Sequence, residues 1–120
     1  MQTPLFKAQT EWVQPNTFPD LSEHKEISID LETKDPNLIK MGPGTFRKDG
    51  EVVGIAVAVS TWSGYYPIAH EGGGNMSRAK VLKWFQGVLS TPADKIFHNA
   101  MYDVCWIKAL SLSVSGRIVD

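Results

Sequence analysis

Asp30 and Glu32 stand two residues apart in the stretch ISIDLETKDP, residues 27–36, where Ile27, Ile29 and Leu31 alternate with Ser28, Asp30 and Glu32. That period is the period of a strand with one face turned towards apolar neighbours, so both acids share the other face, with Cα atoms roughly 6.8 Å apart. Two carboxylates aimed at one spot repel each other unless a cation is present, and oxygen-only ligation selects hard ions such as Mg²⁺ or Mn²⁺. In two-metal hydrolysis the ions lie ~3.5–4 Å apart, one activating water and the other steadying the leaving oxygen. Such a pair needs more than two carboxylates. Asp103 is the natural third: it falls in the first turn of a helix that follows the strand KIFH, and an open sheet presents its ligand site at such strand ends. An isolated D-x-E is usually a solvated strand face; what singles this one out is that IDLET and FHNAMYD occur in this order, each at a strand end.

The elements that must carry these residues follow from the same periodicities. Residues 1–25, with Trp12, Val13, Phe18 and Leu21 scattered among Pro, Thr, Gln and charge, read as a docked arm or linker, and the domain proper spans 26–120. Residues 35–50 hold two prolines and three glycines and form a surface excursion closing on Asp49-Gly50. EVVGIAVAVS (51–60) is a strand covered on both sides, and GYYPIAH (64–70) follows a Trp62-Ser63-Gly64 turn as its hairpin partner. After the loop EGGGN, Asn75 or Ser77 caps a helix with Val81, Leu82, Phe85, Val88 and Leu89 in one stripe. A second helix starts at Asn99, with Ala100, Val104 and Ile107 on one side, and GRIVD opens a last strand. The order is β-β-β-α-β-α-β, an α/β mixed sheet.

Composition limits the function classes. At 120 residues and 42% hydrophobic content the chain makes one domain of modest core, and its net charge of −1 gives no global positive field for a polyanion. Any nucleic-acid contact is therefore local. Cys105 is the only cysteine, which excludes an internal disulfide and suits a reducing compartment. No apolar run reaches the ~18 residues of a membrane span and the N-terminus lacks a signal-peptide apolar region, so the expectation is a cytoplasmic chain. His24, His70 and His98 lack the spacing of zinc ligands. EGGGN lacks the lysine of a P-loop and reads as a turn. Trp62, Tyr65, Tyr66 and Trp84 are candidates for stacking on unpaired bases, with packing the plainer reading for Trp84.

IDLET and HNAMYD, with Asn99 four residues before Asp103, resemble the first two motifs of the 3′–5′ proofreading exonuclease domain of family A DNA polymerases, bacteriophage type. GRIVD, the arm EWVQPNTFPDL and the loop HEGGGN also resemble phage members, so the resemblance runs from about Glu11 to Asp120. It implies a ribonuclease-H-like fold, truncated at its C-terminus, that removes mispaired 3′-terminal nucleotides from single-stranded DNA ends with two Mg²⁺ or Mn²⁺ ions. Asp30, Glu32 and Asp103 match three of the family's four acidic, catalytic metal ligands. Thr33 matches a position that contacts the terminal nucleotide, Asn99 a polar residue near its phosphates, and Tyr102 lies beside Asp103 as a packing or substrate contact. The third motif, Tyr-x-x-x-Asp, and a polymerase domain belong beyond Asp120, and the site of action is the host cytoplasm for a phage protein. Without that motif the 120 residues are expected to trim DNA poorly. Asp120 itself matches a structural or capping aspartate. The rival readings are a catalytically incomplete nucleic-acid-binding fragment and a ribonuclease of the same superfamily.

Overall fold

The computed structural model describes residues 15–36, 44 and 50–120. Strands β1 (Glu26–Lys34), β2 (Glu51–Val59) and β3 (Trp62–Pro67) precede helix α1 (Arg78–Leu89), strand β4 (Asp94–Phe97), helix α2 (Ala100–Ala109) and strand β5 (Ile118–Val119). The order is the one the periodicities predict. The five strands form one mixed sheet in the order β3-β2-β1-β4-β5: β1 runs antiparallel to β2 and parallel to β4, and β5 adds parallel to β4. This arrangement is consistent with a ribonuclease-H-like fold without being peculiar to it. Asp49 of the expected Asp49-Gly50 hairpin and most of the 35–50 excursion, like Trp12 and Val13, lie outside the described residues. Among the described residues no helix is long and apolar enough to cross a membrane.

Two local expectations need correction, and one pair of alternatives is decided. Trp62 and Gly64 belong to β3, paired with Val59 and Val57, so the hairpin turns at Ser60-Thr61; Trp62 is held in the strand by ring contacts with Tyr66 and Trp84. Ser77, with its hydroxyl accepting from the Lys80 N–H, is the cap of α1, while Asn75 serves the preceding loop. The buried side of α2 is Ala100, Asp103, Trp106 and Ile107, with Val104 half-buried, because Trp106 has more apolar surface to remove from water than Val104.

Ile29 and Leu31 of β1 pair with β2, Ile27 and Ile29 pair with β4, and all three join Val81, Phe85, Val88 and Leu89 of α1 in the core. The arm docks beside them: Leu21 is buried, the Tyr66 hydroxyl donates to the Thr17 carbonyl at 2.8 Å and the Trp84 indole to the Pro19 carbonyl at 2.8 Å. Tyr66 and Trp84 lie 4.5 Å apart between ring centroids, with Phe18 against both. These aromatics pack the arm, which commits the surface on which bases could have stacked.

Lys95 is wholly buried in β4, and its ammonium donates to the carbonyls of Thr91, Ala93 and Ser115 at 2.6, 2.8 and 2.7 Å. It ties the turn after α1 to the segment that leads into β5. Gly116 crosses here with φ +81°, and a Cβ would meet the Ala93 carbonyl oxygen at 2.2 Å. Lys95→Met keeps the stem and removes the donor, leaving carbonyls that cost ~1–3 kcal/mol each when buried unpaired. Of the three, the Ala93 carbonyl is the fully buried one, so the expected result is a loss of about 1–3 kcal/mol, read as a lower urea midpoint at unchanged slope.

Candidate active site

The site is made by a difference in strand length. β4 pairs with β1 only as far as Ile29 with Phe97. The Lys25 carbonyl accepts from Asp94 on that edge, and the two-residue alternation of a strand puts the Leu31 N–H on the same edge, past the last residue of β4. The chain turns through His98 and Asn99 into α2, and Asp103, in its first turn and only 3% exposed, accepts a hydrogen bond from the Leu31 backbone. The two motifs are thereby joined: Asp103 lies within electrostatic reach of Asp30.

Burial pushes the Asp103 carboxyl up to about 7, the Asp30 and Asp120 carboxylates push in the same direction, and the Leu31 hydrogen bond opposes them. Asp120, at the end of β5, accepts from the Ala100 N–H at 3.0 Å and so caps α2, the role its place in GRIVD suggested. Asn99 occupies the cap position with an exposed side chain that makes no capping bond.

Glu32 is not drawn to the same point as closely. Its Oε2 accepts from the Tyr65 hydroxyl at 3.1 Å, and that hydroxyl also bonds His70 Nε2. Among the described residues no three His, Cys, Asp or Glu side chains form a ready-made metal cage. The donor set is nevertheless all carboxylate oxygen, half-buried at Asp30, buried at Asp103 and exposed at Glu32. That chemistry fits Mg²⁺, which keeps several waters and is held by one or two carboxylates together with substrate phosphate, and does not fit a closed protein cage.

Thr33 and Tyr102, the sequence neighbours of Glu32 and Asp103, are brought together by a hydrogen bond. The Tyr102 hydroxyl donates to Asp35 Oδ2 at 3.0 Å and lies 2.8 Å from the Thr33 hydroxyl, which must then be the donor of that pair. Both Asp35 oxygens accept from the Gly44 N–H at 3.1 Å. With its proton directed at Tyr102, Thr33 is left to accept from a ligand; to donate, it must leave the tyrosine.

From sequence, Tyr65 is only a stacking candidate, His70 has no role and Asp35 is passed over. One signal was present: Gly54 interrupts an otherwise β-prone run, and a glycine inside a strand marks a close approach. Gly54 is the cross-strand partner of Glu32, and a Cβ there would sit 1.8 Å from the Tyr65 hydroxyl.

No protein-family model matches the chain. The chain is similar to a DNA-directed DNA polymerase of Pseudomonas phage M6, at 37% identity in a 110-residue alignment that covers 87% of this chain and 17% of that protein. It is thus related to one part of a phage polymerase, spanning about a sixth of that relative's length.

Asp103 gives the site a pH signature. Its folded pKa lies above the value of ~3.9 usual for an unfolded aspartate, so the folded chain binds the proton more tightly. The associated stability is complete below about pH 4 and is lost as pH rises through about 7. In EDTA the urea midpoint of the wild type should fall between pH 5 and pH 8 relative to that of Asp103→Asn. Parallel midpoints for the two proteins would show that Asp103 does not carry this strained carboxyl.

Proposed function

We propose that residues 26–120 are part of a 3′–5′ exonuclease domain of a DNA polymerase, with Asp30, Glu32 and Asp103 holding Mg²⁺ or Mn²⁺ against the 3′-terminal phosphodiester of single-stranded DNA. The observation that carries the reading is the meeting of Asp103 with Asp30 at the open end of β1. Buried and mutually repelling carboxylates are stabilised by a divalent cation, and a phosphodiester brings the oxygens that complete its shell. Similarity to part of a phage polymerase supports the setting, in which a polymerase domain follows in the same chain and the work is done in the host cytoplasm.

When bound, such ions lower the pKa of water and stabilise charge on the leaving oxygen. The chain's own residues supply the rest. Thr33 and Tyr102, hydrogen-bonded to each other and next in sequence to Glu32 and Asp103, are assigned to the terminal nucleotide, and the exposed Asn99 side chain stands at the start of α2. The family's fourth acid and its tyrosine belong to the third motif, so hydrolysis is assigned to the polypeptide continued through Tyr-x-x-x-Asp.

Two measurements test this. Titrating Mn²⁺ into the chain should broaden NMR signals around Asp30, Glu32 and Asp103; broadening centred on the histidines would refute the site. In the polypeptide continued through the third motif, Asp30→Ala should slow trimming of 5′-labelled single-stranded DNA roughly a thousandfold, the equivalent of ~4 kcal/mol of transition-state stabilisation. A variant that keeps most of its activity would remove Asp30 from the mechanism. Faster trimming of RNA than of DNA would move the domain to the ribonucleases of the superfamily.

A further inference from the structure

Glu32 is an exposed side chain on a strand, and such a carboxylate ordinarily samples several rotamers. Here it is held from across the sheet. Tyr65 and Asp30 flank Ala56 in one cross-strand row, and Glu32 pairs with Gly54 in the next. Because Gly54 has no Cβ, the Tyr65 phenol lies over the backbone of β2 and reaches Glu32 Oε2. Any side chain at position 54 would occupy the place of that hydroxyl.

The phenol is fixed in turn. His70 Nε2 bonds the Tyr65 oxygen, and their rings meet edge to face at 5.8 Å. His70 begins the loop EGGGN, and that loop is closed on itself: Asn75 accepts from the His70 N–H at 2.8 Å and donates to the His70 carbonyl at 2.9 Å. A bulge anchors its approach, since β1 and β2 slip register after Glu32 and the Val53 carbonyl accepts from both Ile68 and Ala69. An ion pair of Lys34 with Glu71 ties the loop to the end of β1. A line of contacts therefore runs from Asn75 through His70 and Tyr65 to Glu32.

We infer that Tyr65 is a positioning residue: oriented by His70, it presents Glu32 to the metal and substrate, and Gly54 exists at its position to let it do so. This rests on the metal-site reading above. A phenol has one proton, and if that proton is donated to the Glu32 carboxylate, His70 must donate from Nε2. Partners that orient ligands in this way typically change metal affinity 10–100-fold when lost.

The test uses the 120-residue chain. Long-range ¹⁵N spectra of the metal-free wild type should show His70 as the Nε2–H tautomer, and Tyr65→Phe should shift that resonance. Mn²⁺ affinity, read from the EPR signal of the free ion, should fall tenfold or more in Tyr65→Phe. A tyrosine that only packs would lower the urea midpoint on mutation and leave Mn²⁺ affinity unchanged, and that result overturns the inference. Finding His70 protonated at Nδ1 alone overturns it as well, and needs no variant to fold. If the wild type shows the Nε2–H tautomer yet binds no Mn²⁺, the metal site itself is wrong and the inference falls with it, by a separate signature.

Discussion

The early end of β4 is the constraint on which the rest of the site depends. A parallel neighbour extended by two more residues would pair with Leu31 and close the edge of β1. Because β4 stops at Phe97, the Leu31 N–H is left for a side chain, and Asp103 takes it. One backbone amide thereby sets the distance between two segments more than 70 positions apart in sequence. Trp106 and Ile107, buried one turn further along α2, fix the rotation that turns Asp103 inward.

This placement opposes stability. An aspartate nearly removed from water, near two further carboxylates, is favoured only when it carries a proton or meets a cation. The same sheet contains the opposite solution in Lys95, whose buried charge is met by three carbonyls and serves the fold. A buried charge with its donors fully matched is a structural group. Asp103, matched by one amide and opposed by two acids, has a demand that the fold leaves for something else to meet.

Element order was legible because the two periods, 2 in ISIDLE and near 3.6 in α1, are local properties of the sequence. The meeting of IDLET with HNAMYD was legible for a different reason: parallel strands place both motifs at the same end of the sheet. What the sequence withheld was tertiary. Trp62 looks like a turn residue beside Ser63-Gly64, and only its ring contacts with Tyr66 and Trp84 make it a strand residue. Val104 has the spacing of a core position but yields to Trp106 and to the pull of Leu31 on Asp103. Tyr65 resembles a base-stacking aromatic until Gly54, eleven residues earlier, is seen to lie beneath its hydroxyl.

The N-terminus of α2 is where these effects must balance. The helix dipole and its unpaired N–H groups favour acids in the first turn by about 0.3–1 kcal/mol each, and both Asp103 and Asp120 take that position, the latter directly on the Ala100 amide. That gain is smaller than the cost of withdrawing a carboxylate from water, which is why Asp103 still lies well above the ordinary aspartate range. The two-residue strand β5 then has a purpose beyond extending the sheet. It delivers Asp120 to the helix end, and Lys95 and Gly116 hold the approach to that strand in place. Capping and charge accumulation are thus one arrangement: the group that completes the helix also adds the negative potential that a divalent cation would relieve.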